Sequence, residues 1–252
     1  MKRLIACCTL LVALSSVSLA QDAAAPQGFL MFHQNKVAGL DVPRLNQLAD
    51  SIMRPVLDAM VEEQIIMSWG ILTHEWGDEW NWNWYLTTAD HASFVSAWAE
   101  FSKRIMERFP DGVPEMMQYL QAHKDNQFLV RKAFGRPLAA GEAPPRFMMS
   151  NLAMVKEVDV PAIDKLFDTA MAPALNAMLA EGLIYGWGDL RHAWGDEWNI
   201  GWYISTKDHA AFVTAWESLL ARVMKDHPEA LMEAQKYALA HKDNLYHIQY
   251  AR

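Results

Sequence analysis

The stretch Trp76-Gly77-Asp78-Glu79-Trp80-Asn81 recurs unchanged as Trp194-Gly195-Asp196-Glu197-Trp198-Asn199. Extending this comparison in both directions aligns Phe29–Ala133 with Phe147–Ala251 without a gap, and nearly half of the aligned positions hold the same residue. Self-similarity at a fixed spacing indicates repeated structural units. The sequence therefore predicts two copies of one unit, residues 28–133 and 147–251, joined by a linker over residues 134–146 that is rich in glycine and proline.

Each unit begins with a strand, a helix and two further strands. In the first copy the apolar run Phe29–Val37 predicts a strand, and helical spacing follows Pro43, with Asp41 as the helix cap. Ile65–His74 predicts a second strand. Between Trp80 and Thr87, tryptophan and leucine alternate with asparagine, tyrosine and threonine, which is the period of a strand with two distinct faces.

The rest of the unit adds helices and a last strand. Thr88 is predicted to cap a helix that ends at Pro110, and a short helix is expected around Glu115–Ala122. Asn126–Arg131 predicts the final strand. The order is therefore β-α-β-β-α-β with one extra helix.

This order of elements resembles the ferredoxin-like unit of the dimeric α+β barrel superfamily. In that superfamily two such units pack sheet against sheet and enclose a barrel. The resemblance implies an α+β fold in which two ferredoxin-like repeats form a pseudo-dimeric barrel within one chain, and hence a monomer. A sheet with helices on one face also needs a cover for its other face. The alternative is two separate domains joined by the proline-rich linker.

The N-terminal residues predict export. Two basic residues precede the apolar run Leu4–Leu14, which is too short to span a bilayer, and a small-x-small pattern ends at Ala20. Residues 1–20 are thus expected to be a secretory signal, and the mature protein is expected to be periplasmic or secreted. An alternative is a lipoprotein signal with Cys7 as the lipidated residue. Cys7 and Cys8 are the only cysteines, so no disulfide or cysteine metal site is expected after cleavage.

The composition restricts the partners. The formal net charge is −8, and removal of the basic signal makes the chain more acidic. Such a surface repels nucleic acid and anionic lipid, and no later segment is apolar enough to cross a membrane. The 11 tryptophans must build cores, a pocket or an interface. A small molecule is the expected partner.

The repeated sequence His-Lys-Asp-Asn supplies the catalytic candidates, which are His123, Asp125, His241 and Asp243. In an extended stretch the histidine and the aspartate share a face, and the carboxylate would fix the tautomer of the imidazole and raise its basicity. The alternative is a helix C-terminus, where histidine and lysine offset the helix dipole.

The third strand and its surroundings supply the ligand-binding candidates. Aromatic rings from this strand would line a mostly apolar pocket with a few polar partners, either one pocket in each half or one that the halves share. The candidates are Trp84, Trp202, Tyr85, Tyr203, Asn81, Asn199, His74 and His192. No histidine lies in a metal-binding motif, so metal content and cofactors stay open.

Three functions remain open. The first is small-ligand binding, with or without cofactor-free catalysis. The resemblance permits monooxygenases, cyclases, isomerases and haem-binding enzymes without choosing among them. The second is haem or metal binding through a histidine. The third is an envelope interaction module that uses the tips Trp76–Trp80 and Trp194–Trp198, whose tryptophans could instead only staple the hairpins. Asp189 and Arg191 occur only in the second copy, as an ion pair or an anion contact.

Overall fold

The structure is a computed structural model that describes residues 28–252. The predicted signal over residues 1–20 and both cysteines lie outside this range. The elements of the first half are β1 (Gly28–Val37), α1 (Val42–Ile52), α2 (Arg54–Glu62), β2 (Ser68–Trp76), β3 (Trp82–Thr88), α3 (His91–Arg108), α4 (Gly112–Met117) and β4 (Leu120–Gly135). The elements of the second half are β5 (Phe147–Val155), α5 (Val160–Leu166), a π-helical turn (Phe167–Met171), α6 (Ala172–Ala180), β6 (Gly186–Trp194), β7 (Ile200–Thr206), α7 (His209–Asp226), α8 (Ala230–Tyr237) and β8 (Ala238–Ala251).

The eight strands form one closed antiparallel barrel in the order β1-β3-β2-β8-β5-β7-β6-β4. Two seams join the halves, because β4 pairs with β6 and β2 pairs with β8. The last strand of each half therefore also belongs to the sheet of the other half. Two separate domains on a linker are excluded, since closure of the barrel leaves neither half with a free sheet edge.

The strands have an inner and an outer face with different neighbours. Phe32, Leu72, Phe128 and Tyr246 belong to a cluster inside the barrel. Trp84 belongs to the larger cluster on the outer face, where the helices pack. The alternation predicted for the third strand is thus confirmed, and it sends neighbouring residues into two different cores.

The helix starts correct two predictions. Asp90 caps α3, since its side chain accepts a hydrogen bond from the backbone N–H of Ser93, whereas the hydroxyl of Thr88 donates to the carbonyl of Asp90. Asp41 precedes α1 but makes no side-chain capping bond. The predicted first helix is also divided at Met53, ahead of Pro55, whose missing N–H suits the first turn of α2.

The predicted helix over Glu115–Ala122 is too long. In the structure α4 ends at Met117 and β4 begins at Leu120, so His123 lies in a strand. The reason is tertiary, since Leu120, Ala122 and His123 pair with the end of β1. This pairing overrides the local helical preference.

The hairpin tips fasten the two halves to each other. The Asp78 carboxylate lies 2.7 Å from the ammonium of Lys242, and the amide oxygen of Asn244 accepts from the backbone N–H of Asp78. The same contacts link Asp196 to Lys124 (2.5 Å) and to Asn126. The lysine and asparagine of each His-Lys-Asp-Asn sequence therefore bind the hairpin tip of the other half. Lys124 also lies over the ring of Trp80, which belongs to its own half, in a cation–π contact. Within residues 28–252 no helix is long and apolar enough to cross a membrane.

Candidate functional site

Each half contains a cavity between the outer face of the sheet and the covering helices. The first cavity, of about 330 Å³, lies against β1, β3 and β4 under α1, α3 and α4. The second, of about 350 Å³, lies against β5, β7 and β8 under α5, α7 and α8. Both volumes fall within the usual range of small-molecule sites. The two cavities match in place and size but differ in their polar residues.

His33 is the central polar residue of the first cavity. Its Nδ1 lies 2.5 Å from Oδ1 of Asp125, which is opposite it on β4. Because an ionised carboxylate only accepts hydrogen bonds, Nδ1 carries the hydrogen and Nε2 is left as a proton acceptor. Nε2 is buried without a hydrogen-bond partner within residues 28–252, and the whole side chain is almost buried, with His33 7% exposed. This is the arrangement of a general base held in one tautomer.

Asn35 adds an unpaired donor to the same cavity. It follows His33 by two residues on β1 and so shares its face of the sheet. Its Nδ2 is buried and, in the described part of the chain, has no partner. Buried polar groups normally find one, so unpaired groups need an explanation. A ligand oxygen that accepts from Asn35, with an acidic proton nearby for His33, would satisfy both.

Aromatic rings form the wall beside His33. The ring of His33 stacks on Trp84 at a centroid distance of 4.0 Å and an interplanar angle of 12°, and on Trp98 at 5.0 Å and 24°. Phe101 packs against both tryptophans. These contacts fix the plane of the imidazole, and they give the cavity flat apolar surfaces that suit a planar ligand.

The pKa of the Asp125 carboxyl lies below its ordinary value. Partial burial acts to raise this pKa, but the hydrogen bond from His33 and the charges of His33 and His123 together lower it by more. Asp125 is therefore ionised at neutral pH, which keeps the hydrogen on Nδ1 of His33.

The second cavity lacks this base. Asn151 occupies the position of His33, and its amide donates to Oδ1 of Asp243 at 2.7 Å. Ala153 occupies the position of Asn35. The aromatic wall is kept, since Trp202 and Trp216 stack at 6.1 Å and 14°. The second half thus has the apolar part of the site without the buried histidine, and the histidine of its cavity, His241, is exposed at the mouth.

The predicted catalytic residues lie at the cavity mouths. The strand alternative is confirmed for His123 and Asp125, which share the helix-facing side of β4 and line the first cavity. The structure pairs Asp125 with His33 rather than with His123, which is exposed. In the second cavity Nε2 of His241 is 3.9 Å from Oδ2 of Asp243, beyond hydrogen-bond distance.

The predicted aromatic ligand residues are divided between two places. Trp84 and Trp202 line the outer cavities. Tyr85 and Tyr203 point into the barrel, where they border a separate cavity of about 130 Å³. Burial raises the pKa of both tyrosines. The prediction that tryptophan and tyrosine line the same pocket is therefore wrong, because adjacent residues of a strand face opposite sides.

Asn81 and Asn199 are bonded to the protein backbone. The Asn81 amide accepts from the N–H of Val37 and donates to its carbonyl, and Asn199 does the same with Val155. Each of these asparagines joins the start of a third strand to the end of a first strand.

His74 and His192 are not in the outer cavities. Both have a buried Nε2 without a partner among residues 28–252. The ring of His74 lies 5.9 Å from Tyr246, and that of His192 lies 6.2 Å from Phe128. Both histidines therefore border the aromatic core of the barrel.

Charged groups outside the cavities have structural partners. Asp189, which is fully buried, forms ion pairs with Arg131 and Arg191, so the ion-pair interpretation of Asp189 and Arg191 is confirmed. At the tips, Asp78 and Asp196 are paired across the halves. Across residues 28–252 no group of three or more histidine, aspartate or glutamate side chains is arranged to hold a metal ion.

Sequence reasoning missed His33 and Asn35, because neither residue is repeated in the second half. The available signal was the alternation of β1, which places both side chains on the face of Phe29 and Met31, the residues that pack under the helices. Two polar residues on a strand face that packs under helices are uncommon, and each of these two has a buried nitrogen without a partner among residues 28–252.

Comparisons with known proteins bear on the fold. No protein-family model matches the chain, and no curated protein matches its sequence. A candidate monooxygenase from Fusobacterium nucleatum superimposes with a TM-score of 0.65 over 90% of this chain and 94% of its own, at 12% identity. An anthrone oxidase-like protein gives 0.52 over 90% and 93%, at 9% identity. A haem-binding protein from Thermus thermophilus gives 0.51 over 87% and 91%, at 12% identity.

At these identities the likeness establishes the fold alone. The predicted dimeric α+β barrel fold is confirmed.

Proposed function

We propose that the first cavity binds a planar, mostly apolar small molecule and that His33, oriented by Asp125, removes a weakly acidic proton from it. The observation that carries this proposal is the buried Nε2 of His33, which has no partner in the described chain while Nδ1 is held at 2.5 Å by a carboxylate. Asn35 would donate a hydrogen bond to the oxygen that gains negative charge. His123, exposed at the mouth, would pass the proton to solvent.

The reaction class that fits is cofactor-free oxygenation of a carbon acid. Loss of a proton from a benzylic CH₂ group that is conjugated with a carbonyl through aromatic rings, as in anthrone, gives a resonance-stabilised carbanion, which reacts with dioxygen. Overall the CH₂ group loses two hydrogens and four electrons and becomes a carbonyl, while dioxygen supplies that oxygen atom and leaves its other atom as water. The neighbours described as a candidate monooxygenase and as anthrone oxidase-like share the fold in which this would occur.

The test uses anthrone and an oxygen electrode. The wild-type protein should consume one dioxygen per anthrone, and His33→Asn, which introduces the second-half residue, should be slower by about 10²–10⁴-fold. His227→Asn is the matched control, because His227 lines neither cavity. Bound 4-nitrophenol gives a readout without turnover, since its phenolate absorbs at longer wavelength. An unchanged rate and an unchanged phenolate fraction in His33→Asn would refute the proposal.

Haem binding through a histidine has one supporting observation. Nε2 of His33 is free while Nδ1 donates to a carboxylate, which is how an iron ligand is commonly oriented. The rest of the lining does not fit. Haem propionates are usually held by basic residues, and none of the described residues around the first cavity is lysine or arginine. We expect haemin titration to give no histidine-ligated spectrum; a one-to-one Soret complex lost in His33→Asn would reverse this choice.

The interaction-module alternative has less support. The tip aspartates are bonded within the chain, whereas Glu79, Glu197, Trp76 (67% exposed) and Trp194 (57% exposed) remain open to a partner. We also propose that residues 28–133 and 147–251 are tandem ferredoxin-like units of a monomer that acts after export, with the signal cleaved after Ala20. N-terminal sequencing and light scattering of the protein recovered from cell fractions would test these points.

A further inference from the structure

We propose that the second cavity is a second ligand site, which holds a planar apolar molecule with a hydroxyl or amino group and does not take a proton from it. This inference takes only the class of ligand from the proposed function. The residues and distances that support it lie in the second half alone.

The first reason is that the cavity volume is kept although its lining is rebuilt. Leu219 stands where the first half has a phenylalanine, Ala234 replaces a methionine and Ala238 replaces a leucine, so this lining is smaller. Phe167 replaces an alanine and fills the space that these changes would add. Apolar surface left in contact with water is costly, and binding of a small molecule is the usual reason that a protein keeps a large apolar cleft. A cavity of about 350 Å³ beside such compensating changes is therefore better explained by an occupant.

The second reason is the backbone that places Phe167. It begins the π-helical turn Phe167–Met171, whereas its counterpart Ala49 lies in the regular helix α1. The ring of Phe167 reaches Trp187 at 5.9 Å and Trp202 at 6.3 Å. Turns of this kind are rare and occur often at functional sites. The turn thus adds an aromatic wall that the first cavity does not have.

The lining also defines the ligand. Trp202 and Trp216 are nearly parallel, at 14°, and offer flat surfaces to a flat ring. At the mouth, Oδ1 of Asp243 accepts from Asn151, while Oδ2 is 3.9 Å from His241 and can accept from a ligand. A hydroxyl or amino group would meet this oxygen. Asn151 cannot act as a base, and His241 is exposed and has no hydrogen bond to Asp243 that would orient it, so the ligand stays protonated.

Crystals grown with 6-bromo-2-naphthol would test the proposal, because bromine is located by its anomalous scattering. We expect bromine in both cavities. Bromine in the first cavity alone, at saturating probe, or in neither cavity, would overturn the second site. Bromine in the second cavity alone would support this inference and count against the proposed function, so the two failures are distinguishable.

Equilibrium dialysis with the same probe gives the stoichiometry in solution. Wild-type protein should bind two molecules per chain. The pair Ala234→Met and Ala238→Leu introduces the first-half residues, fills the second cavity and should leave one. The reciprocal pair, Met116→Ala and Leu120→Ala, enlarges the first cavity and should keep two. A folded Ala234→Met, Ala238→Leu protein that still binds two molecules would contradict the assignment.

Discussion

The two outer cavities differ in the polar side chains that one strand contributes, besides the apolar substitutions described above. Both have nearly the same volume, a parallel pair of tryptophans and a carboxylate at the mouth. In the first, β1 contributes His33 and Asn35; in the second, β5 contributes Asn151 and Ala153. The apolar frame is thus common to both halves, and the chemistry depends on two polar residues placed within it.

The largest expected effect comes from exchanging these two positions. His33→Asn with Asn35→Ala gives the first cavity the polar residues of the second, and anthrone oxidation should fall by about 10²–10⁴-fold because the base and the donor are both removed. When Asn151→His and Ala153→Asn are added to this variant, the second cavity gains a histidine beside Asp243, as His33 lies beside Asp125 in the first cavity. Dioxygen uptake should then return in part.

The contrary result is equally informative. If the first exchange leaves the rate unchanged, the base is not His33. If the second exchange restores no activity while bromonaphthol still occupies the second cavity, other residues of the first half must be required.

The two seams of the barrel also differ. On β6, the buried Asp189 pairs with Arg131 and Arg191. At the matching place on β2, the amide of Gln249 donates to the hydroxyl of Thr73 at 2.6 Å. A charged cluster and a neutral hydrogen bond therefore fill the same position.

Asp189→Ala should lower the free energy of unfolding by about 1–3 kcal/mol, because it removes the buried carboxylate that Arg131 and Arg191 share, although Asp168 and Asp164 still pair with them. The triple change Arg131→Gln, Asp189→Ile and Arg191→Thr copies the β2 seam and should be close to neutral. Urea denaturation measures both. A triple variant as unstable as Asp189→Ala would show that the seams are not interchangeable.

The fold could be predicted from the sequence because the patterns of alternation and the turn sequences that define its strands each occur twice. The alternation around Trp84 and the recurrent tips predicted strands and halves that the structure contains. The end of α4 was not accessible, since pairing of the start of β4 with β1, which is distant in the sequence, decides it. The base was missed for a related reason: its partner Asp125 is adjacent only through strand register, and repetition drew attention to His123.

The cross-half contacts at the tips should respond equally, since they are the same in both halves. Lys124→Met and Lys242→Met each remove a largely buried partner of a tip carboxylate, and each should cost about 1–3 kcal/mol of unfolding free energy. Urea denaturation of the two single variants checks this. Losses that differ by more than about 1 kcal/mol would show that one seam carries more of the barrel's stability than the other.

The smallest expected effect concerns acid. The hydrogen bond from Arg131 lowers the pKa of Asp168 to about 2, against the effect of burial and with help from Lys132. A lowered carboxyl pKa adds stability that is present above the ordinary value of about 4 and is lost as the pH falls from there towards 2. Asp168→Asn should therefore flatten the decline in unfolding midpoint over this range, by a modest amount because Asp168 is partly exposed. Asp50→Asn, at the matching position of the first half, is the control, since Asp50 pairs with Arg54 on an exposed helix surface. If both variants flatten the decline in unfolding midpoint equally, the pairing of Asp168 with Arg131 and Lys132 adds no more acid sensitivity than an exposed ion pair does.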